Sequence, residues 1–322
     1  MLKVPMTKAL YLQILQESFG DRLLRDVSLA RYTSARAGGP ADAFIVANSV
    51  EELVATIRQL WEVKAPLFIL GGGSNLLVSD AGIRGVVVLN RARKVRFDTF
   101  EQPPTVRAES GANFGVIARQ CALQGLSGLE WAAGIPGTVG GAVFGNAGAH
   151  GGEVADNLIL AEILHRNGAD GSVIHWPVDK LDYGYRTSAL KRKRENAVIL
   201  AGLFRLERST SQVVQAKMDE FSAYRRQTQP PGASMGSMFK NPPGDHAGRL
   251  IESTGLKGAR RGEAEISSLH ANFFINHGGA TAKDIWWLIS TARQKVLDRF
   301  GINLELEIEL VGEWNDENRF GR

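Results

Sequence analysis

Ser237 stands in the string Gly236-Ser237-Met238-Phe239-Lys240-Asn241-Pro242, just ahead of a segment from Ala247 onward that reads as a helix. A serine hydroxyl becomes a nucleophile only when an adjacent base takes its proton, and this string supplies no base, which disfavours a hydrolase-like role. Lys240 would lower the cost of negative charge near that hydroxyl. Arg186, in Tyr183-Gly184-Tyr185-Arg186-Thr187-Ser188, reads on its own as a surface arginine at the end of a strand. Glu305 and Glu307 alternate with leucines, a spacing that predicts a strand with both carboxylates on one solvated face. The run Lys191-Arg192-Lys193-Arg194 fits a solvated turn better than a nucleic-acid patch.

The six histidines (His150, His165, His175, His246, His270 and His277) have no metal-ligand spacing, and with Cys121 as the single cysteine no zinc cluster is credible, so no metal is expected. Cys121 cannot form an internal disulfide, which suits a reducing cytoplasm, and its amphipathic context predicts packing rather than catalysis.

Backbone donors are the other chemical resource. The chain has 36 glycines among 322 residues, above the usual share of about 7%. Gly71, Gly72 and Gly73 follow an apolar strand and are joined by Ser74 and Asn75. Such a string lets N–H groups approach an anion, yet it is neither a Walker loop nor a dinucleotide fingerprint, and it reads equally as a phosphate cradle or a tight turn. A longer string, Gly134 to Gly152, holds eight glycines among apolar residues and Asn146. Ordering a loop of that length is costly. An extended, phosphate-bearing cofactor lying against its backbone would offset the cost.

The elements that must position these groups follow from periodicity. Residues 42–47 predict a strand; Ser49 then caps a helix, with Glu52 completing a capping box and Leu53, Ile57 and Leu60 on one face. Apolar strands are expected leading into Gly71 and at 85–90. From about 95 to 208 the pattern is strands around the glycine-rich interruption, with one clear helix near 114–125. A polar-started helix after Glu207 ends in prolines and marks the last unit, where Thr281 and Asp284 cap a helix whose stripe is Ile285, Leu288, Ile289, Ala292 and Val296. The N-terminal segment predicts an amphipathic helix carrying Leu10, Ile14 and Leu15, with no signal-peptide pattern and no run able to span a bilayer. A chain of this length exceeds one usual core, so two or three packed units are expected. A formal charge of +4 suits nucleic acid or an anionic small molecule alike.

Seven strings occur together in a familiar order: 37–44, 70–77, 127–153, 183–188, 236–242, 255–276 and 304–307. On these the chain, from about residue 28 to 312, resembles the UDP-N-acetylenolpyruvoylglucosamine reductase family. The resemblance implies an α+β fold: a two-part FAD-binding module of the vanillyl-alcohol oxidase type over 1–208, with parts at about 28–92 and 93–208, then a smaller α+β substrate domain over 209–322. It implies FAD held by Gly71, Gly72, Gly73, Ser74 and Asn75 and by Gly134, Ile135, Pro136, Gly140, Gly141, Asn146 and Gly148. It implies NADPH as reductant and UDP-N-acetylglucosamine enolpyruvate as substrate, in a cytoplasmic monomer engaging neither nucleic acid nor membrane.

By the same resemblance Ser237 is the proton donor, and Arg186 and Glu307 support the enol-like intermediate, Glu307 as a protonated or proton-sharing carboxyl group. Asn241 and His270 match positions lining the substrate pocket. Two departures stand out. No insertion between Arg186 and Ser237 carries the tyrosine loop of one branch of the family, and Leu306 and Glu309 replace a proline and an arginine common in relatives. The rivals are a flavin oxidase or dehydrogenase acting on another sugar or hydroxy acid, and a colourless nucleotide- or nucleic-acid-binding module using 191–194.

Overall fold

The computed structural model describes residues 7–166, 171–193 and 196–314, and its middle third is built on one antiparallel sheet. The strand order is Ser172–Pro177, Leu158–His165, Ala197–Arg205, Thr105–Glu109 and Val95–Asp98. Helices among the described residues are α1 (Lys8–Phe19), α2 (Val50–Glu62), α3 (Phe114–Leu123), α4 (Val139–Gly145), α5 (Val154–Asn157), α6 (Ala189–Lys193), α7 (Ser211–Thr228), α8 (Ala247–Ser253) and α9 (Ala282–Phe300). None is long and apolar enough to cross a membrane.

The backbone forms two compact units. The first comprises Met1–Leu24, Ala43–Gly72 and Gly85–Ala223, and the second Arg25–Asp42, Gly73–Arg84 and Tyr224–Arg322. This differs from a single cut near residue 208, because two short early segments pack with the C-terminal residues. The glycine string 71–75 is therefore divided between Gly72 and Gly73.

In the first unit, α3 buries Phe114, Ile117, Ala118 and Cys121. Phe114 meets the rings of Trp131 and Phe204 at 5.4 and 5.3 Å. Cys121 is a packing residue as expected; burial, then the nearby Glu130 carboxylate, pushes its thiol up to about 12. Around Leu67–Leu70, which runs parallel to Val86–Leu89, a second core joins α1 to Ile45, Leu53, Ile57, Leu60, Val88 and Val198. The Ser49 cap forms, its hydroxyl accepting from the Glu52 N–H. The Glu52 carboxylate, however, accepts from Asn48 N–H, so the box closes one residue earlier than the spacing predicts. The buried face of α1 is Tyr11, Leu12, Leu15 and Phe19, with Leu10 exposed: the sheet-side core takes the aromatics, and a count of aliphatics alone missed them.

The largest correction lies between 95 and 208, where α4, α5 and α6 join α3. Their lengths of 7, 4 and 5 residues are too short to show helical periodicity, and three of the seven residues of α4 are glycine. In the second unit, α9 has the expected Thr281–Asp284 capping box and buries all five residues of the predicted stripe. It packs on a core that includes Met238, Phe239, Leu250, Ile266 and Phe274. Residues 302–307 do not form the predicted alternating strand; Leu304 and Ile308 are buried, and the regular pairing is Glu309–Val311 parallel to Leu76–Val78.

Candidate active site

Two glycine strings meet in the first unit. A Cβ on Gly71 would lie 2.5 Å from Thr138 Oγ1, and one on Gly72 would lie 3.0 Å from Gly137 Cα. The missing side chains thus let the turn after Leu67–Leu70 close on the entry to α4. That entry is pinned: Val139 N–H donates to Ala112 O and Gly140 N–H to Ser110 O, at 2.9 and 2.8 Å. Upstream, the buried Glu130 carboxylate accepts from Ser127 Oγ and Gly128 N–H at 2.6 and 2.7 Å. Burial opposes its charge, but these hydrogen bonds, with Lys217 at longer range, hold Glu130 below the usual carboxylate range. Ile135 N–H donates to Ala132 O, closing the turn that delivers Gly134 and Pro136 to α4.

Arg186 sits on a clip over the far end of α4. Tyr183 Oη donates to Val143 O and Ser188 Oγ to Phe144 O, at 2.8 and 2.6 Å, satisfying carbonyls that the helix terminus leaves open. Burial pushes the Tyr183 phenol up, keeping it a neutral donor. Asn146, fully buried, donates to Gly184 O and accepts from Ala155 N–H, so the protein itself engages both halves of its amide. Gly184 and Thr187 exchange two backbone hydrogen bonds, and Arg186 between them has φ of 57°. Such a backbone for a non-glycine residue costs on the order of 1 kcal/mol and is held by its surroundings. The guanidinium donates to Gly148 O and lies 5.0 Å from the Tyr185 ring centroid. Gly148 is itself paired with Glu153. The basic run is a helix end rather than a turn: Arg192 pairs with Asp182 and Lys191 Nζ donates to Arg186 O. Arg194 lies outside the described residues.

The second unit runs the segments carrying Ser237 and Glu307 side by side. Ser237 bridges Phe273, and Phe239 bridges Leu306. Glu307 N–H donates to Met238 O, and Lys240 N–H to Glu305 O, each at 2.9 Å. Lys240 Nζ lies 3.4 Å from the Glu305 carboxylate, so its charge faces Glu305. The other half of the divided glycine string belongs here. Gly73 O accepts from Ser34 N–H, and Asn75 Nδ2 donates to Glu307 O at 3.1 Å while Asn75 O accepts from Glu309 N–H at 2.9 Å. Ser74 links the two. Asn241 is exposed, and its Oδ1 accepts from Ala247 N–H at the start of α8.

His270 is half-buried beside Gly248 and Phe273. Its Nδ1 accepts from Asn272 N–H at 3.2 Å, so the ring proton resides on Nε2. Burial lowers its pKa, with Lys257 adding to the effect, and the ring is neutral near pH 7. Sequence reasoning did not single out Tyr183 or Asn272. Asn272 had a signal: a lone amide inside the apolar run Ala271–Ile275.

Among the described residues no group of His, Cys, Asp and Glu could hold a metal ion. For the flavin the residues fit. Gly141 and Gly145 stand one turn apart on one face of α4; a Cβ at Gly141 would meet only Thr138 Oγ1, at 3.8 Å, and one at Gly145 nothing within 4 Å. The protein's own packing gives no reason for glycine there, although glycine in a helix costs about 0.5–1 kcal/mol relative to alanine. A flat or extended group lying on that face gives one.

Two family models match the chain: "UDP-N-acetylenolpyruvoylglucosamine reductase, C-terminal domain" over residues 227–311 and "FAD binding domain" over 41–175. The chain is 45% identical over 292 residues to the UDP-N-acetylenolpyruvoylglucosamine reductase of Chloroflexus aurantiacus, covering 90% of this chain and 97% of that protein. It is 43% identical over 288 residues to the one from Rubrobacter xylanophilus, covering 89% and 95%. Among solved structures, the same enzyme from Thermus caldophilus superposes with a TM-score of 0.76 at 36% identity, over 90% of this chain and 99% of that one.

Proposed function

Since the chain belongs to the UDP-N-acetylenolpyruvoylglucosamine reductase family, we propose how its own residues serve that family's reaction. The protein is an FAD-dependent oxidoreductase that reduces UDP-N-acetylglucosamine enolpyruvate to UDP-N-acetylmuramate in peptidoglycan precursor synthesis. FAD, when bound, supplies the hydride. The backbone around Gly71–Gly72 and the Gly141–Gly145 face of α4 hold it, and NADPH is the reductant.

Reduction of the enolpyruvyl double bond places hydride on the carbon beta to the carboxylate. Negative charge then develops at the alpha carbon and spreads into the carboxylate. Groups fixed in advance where that charge appears lower the barrier without reorganising. Arg186 is such a group: its backbone turn and the bond its guanidinium donates to Gly148 O fix its position, and its planar fork suits a carboxylate. Ser237 delivers the proton to the alpha carbon, with Glu307 on the adjoining segment as the acid that supports the enol form. Neutral His270, with its hydrogen on Nε2, donates to the substrate's polar groups, and Asn241 lines the same pocket. The observation that supports this reading is the backbone pairing of residues 238–240 with 305–307, which runs the segment carrying Ser237 alongside the one carrying Glu307.

The test separates the two half-reactions in anaerobic stopped flow. Ser237→Ala is expected to leave flavin reduction by NADPH largely intact while slowing reoxidation by the enolpyruvyl substrate by two orders of magnitude or more, the scale of a lost proton donor, roughly 10²–10⁴-fold. Equal loss in both steps would sink the assignment.

A further inference from the structure

We infer that Asn272 is the positioning residue of this site, holding the Ser237 segment in register with the Glu307 segment; the inference rests on the reading of Ser237 above. Asn272 is 2% exposed. Its side-chain amide behaves as a third peptide: Oδ1 accepts from Phe239 N–H at 3.0 Å and Nδ2 donates to Phe239 O at 2.8 Å. Its main-chain O accepts from Met238 N–H at 2.8 Å. One residue thus takes the N–H groups of both 238 and 239 and the carbonyl of 239.

The reason lies in the local chain path. Residues 237–239 run between two neighbours, with Phe273 bridging Ser237 on one side and Leu306 bridging Phe239 on the other. On the first side the antiparallel register that sets Ser237 against Phe273 would bring Ala271 opposite Phe239, but the chain ahead of Asn272 is a turn, with Phe273 N–H closing back onto His270 O at 2.9 Å. A continued strand would have served Phe239; the Asn272 amide replaces it. Phe239 is fully buried, so water cannot take over, and an unpartnered buried peptide is costly enough to shift the segment. Met238 lies between Ser237 and Phe239 and accepts the Glu307 N–H. Any shift at Phe239 therefore moves the Ser237 hydroxyl and the Glu307 carboxyl relative to each other. A misplacement of about 1 Å costs on the order of 100-fold in a positioned reaction.

The experiment uses the purified flavoprotein, with NADPH and UDP-N-acetylglucosamine enolpyruvate as the two reactants in separate half-reactions. Asn272→Ala is expected to slow flavin reoxidation by about 30- to 100-fold while flavin reduction changes less than about threefold. In a Ser237→Ala background the same change should cost less than about threefold, because the hydroxyl it aims is already gone. Asn272→Asp, which burial keeps protonated and which can then both accept from and donate to Phe239, should restore reoxidation to within about fivefold of the parent. In the flavin-free protein, amide exchange across 238–240 should quicken at least about tenfold in Asn272→Ala. Should that variant not fold, Asn272→Ser takes its place, its hydroxyl holding one of the two groups.

Equal slowing of both half-reactions, or a loss that multiplies fully with Ser237→Ala, would overturn the positioning role and leave the Ser237 reading standing. If Ser237→Ala alone leaves reoxidation unchanged, the Ser237 reading fails first and the inference falls with it.

Discussion

Replacing Gly141 and Gly145 by alanine should move stability and cofactor affinity in opposite directions. Neither glycine has a backbone angle that disfavours alanine, and the added methyls have room: the nearest atom is Thr138 Oγ1, 3.8 Å from a Cβ at 141. Each replacement in a helix is worth about 0.5–1 kcal/mol. The flavin-free double variant should thus be more stable by about 1–2 kcal/mol, which for a chain of this size raises Tm by roughly 2–8 °C. The same methyls occupy the face proposed for the flavin, and a tenfold loss of affinity is the minimum expected. At FAD a hundred times the parent Kd, ligand stabilisation would fall from about 2.7 to about 1.4 kcal/mol. Calorimetry with and without FAD, together with a flavin fluorescence titration, measures both quantities. Gly71→Ala is the contrast, since its Cβ would lie 2.5 Å from Thr138 Oγ1 and should destabilise the flavin-free protein. A double variant that gains stability and keeps the parent's FAD affinity would refute the assignment of that face.

Two further outcomes concern the stability of the fold. Because burial lowers the pKa of His270 in the folded protein, the unfolded chain binds its proton first as pH falls below about 6.5. Stability is therefore lost between that value and the lower folded pKa, and His270→Gln should flatten the fall of the unfolding midpoint between pH 7 and 5; an unchanged slope would show that His270 is not its source. Asp80 accepts from Ala282 and Lys283 N–H at 2.8 and 2.9 Å at the start of α9. Asp80→Ala should cost about 1–2 kcal/mol in urea unfolding, and a loss below about 0.3 kcal/mol would mean that the Thr281 capping box alone satisfies the helix.

How much of this was legible beforehand varies with the range of the interaction concerned. The α9 cap and stripe, the Ser49 cap, the strand at 42–47 and the packing of Cys121 all depend on residues a few positions apart, and all were readable. The short helices α4, α5 and α6 were not, since none spans enough turns to display a period and α4 is rich in the residue that disfavours helices. Arg186 was visible as an arginine near a tyrosine pair; that its guanidinium is fastened to Gly148 across 38 residues was not.

The chain alone settled composition, the local caps and the order of the seven strings that mark the family. Tertiary structure decided who serves whom. The string 71–75 divides, its first two glycines closing on Gly137–Thr138 and its Asn75 holding the Glu307 carbonyl 232 residues away. Asn272, unremarkable in sequence, supplies the hydrogen bonds that a missing strand would have given Phe239. Side-chain type and near-neighbour spacing are local and survive in one dimension; which buried peptide lacks a partner is known only once the backbone has been routed past it.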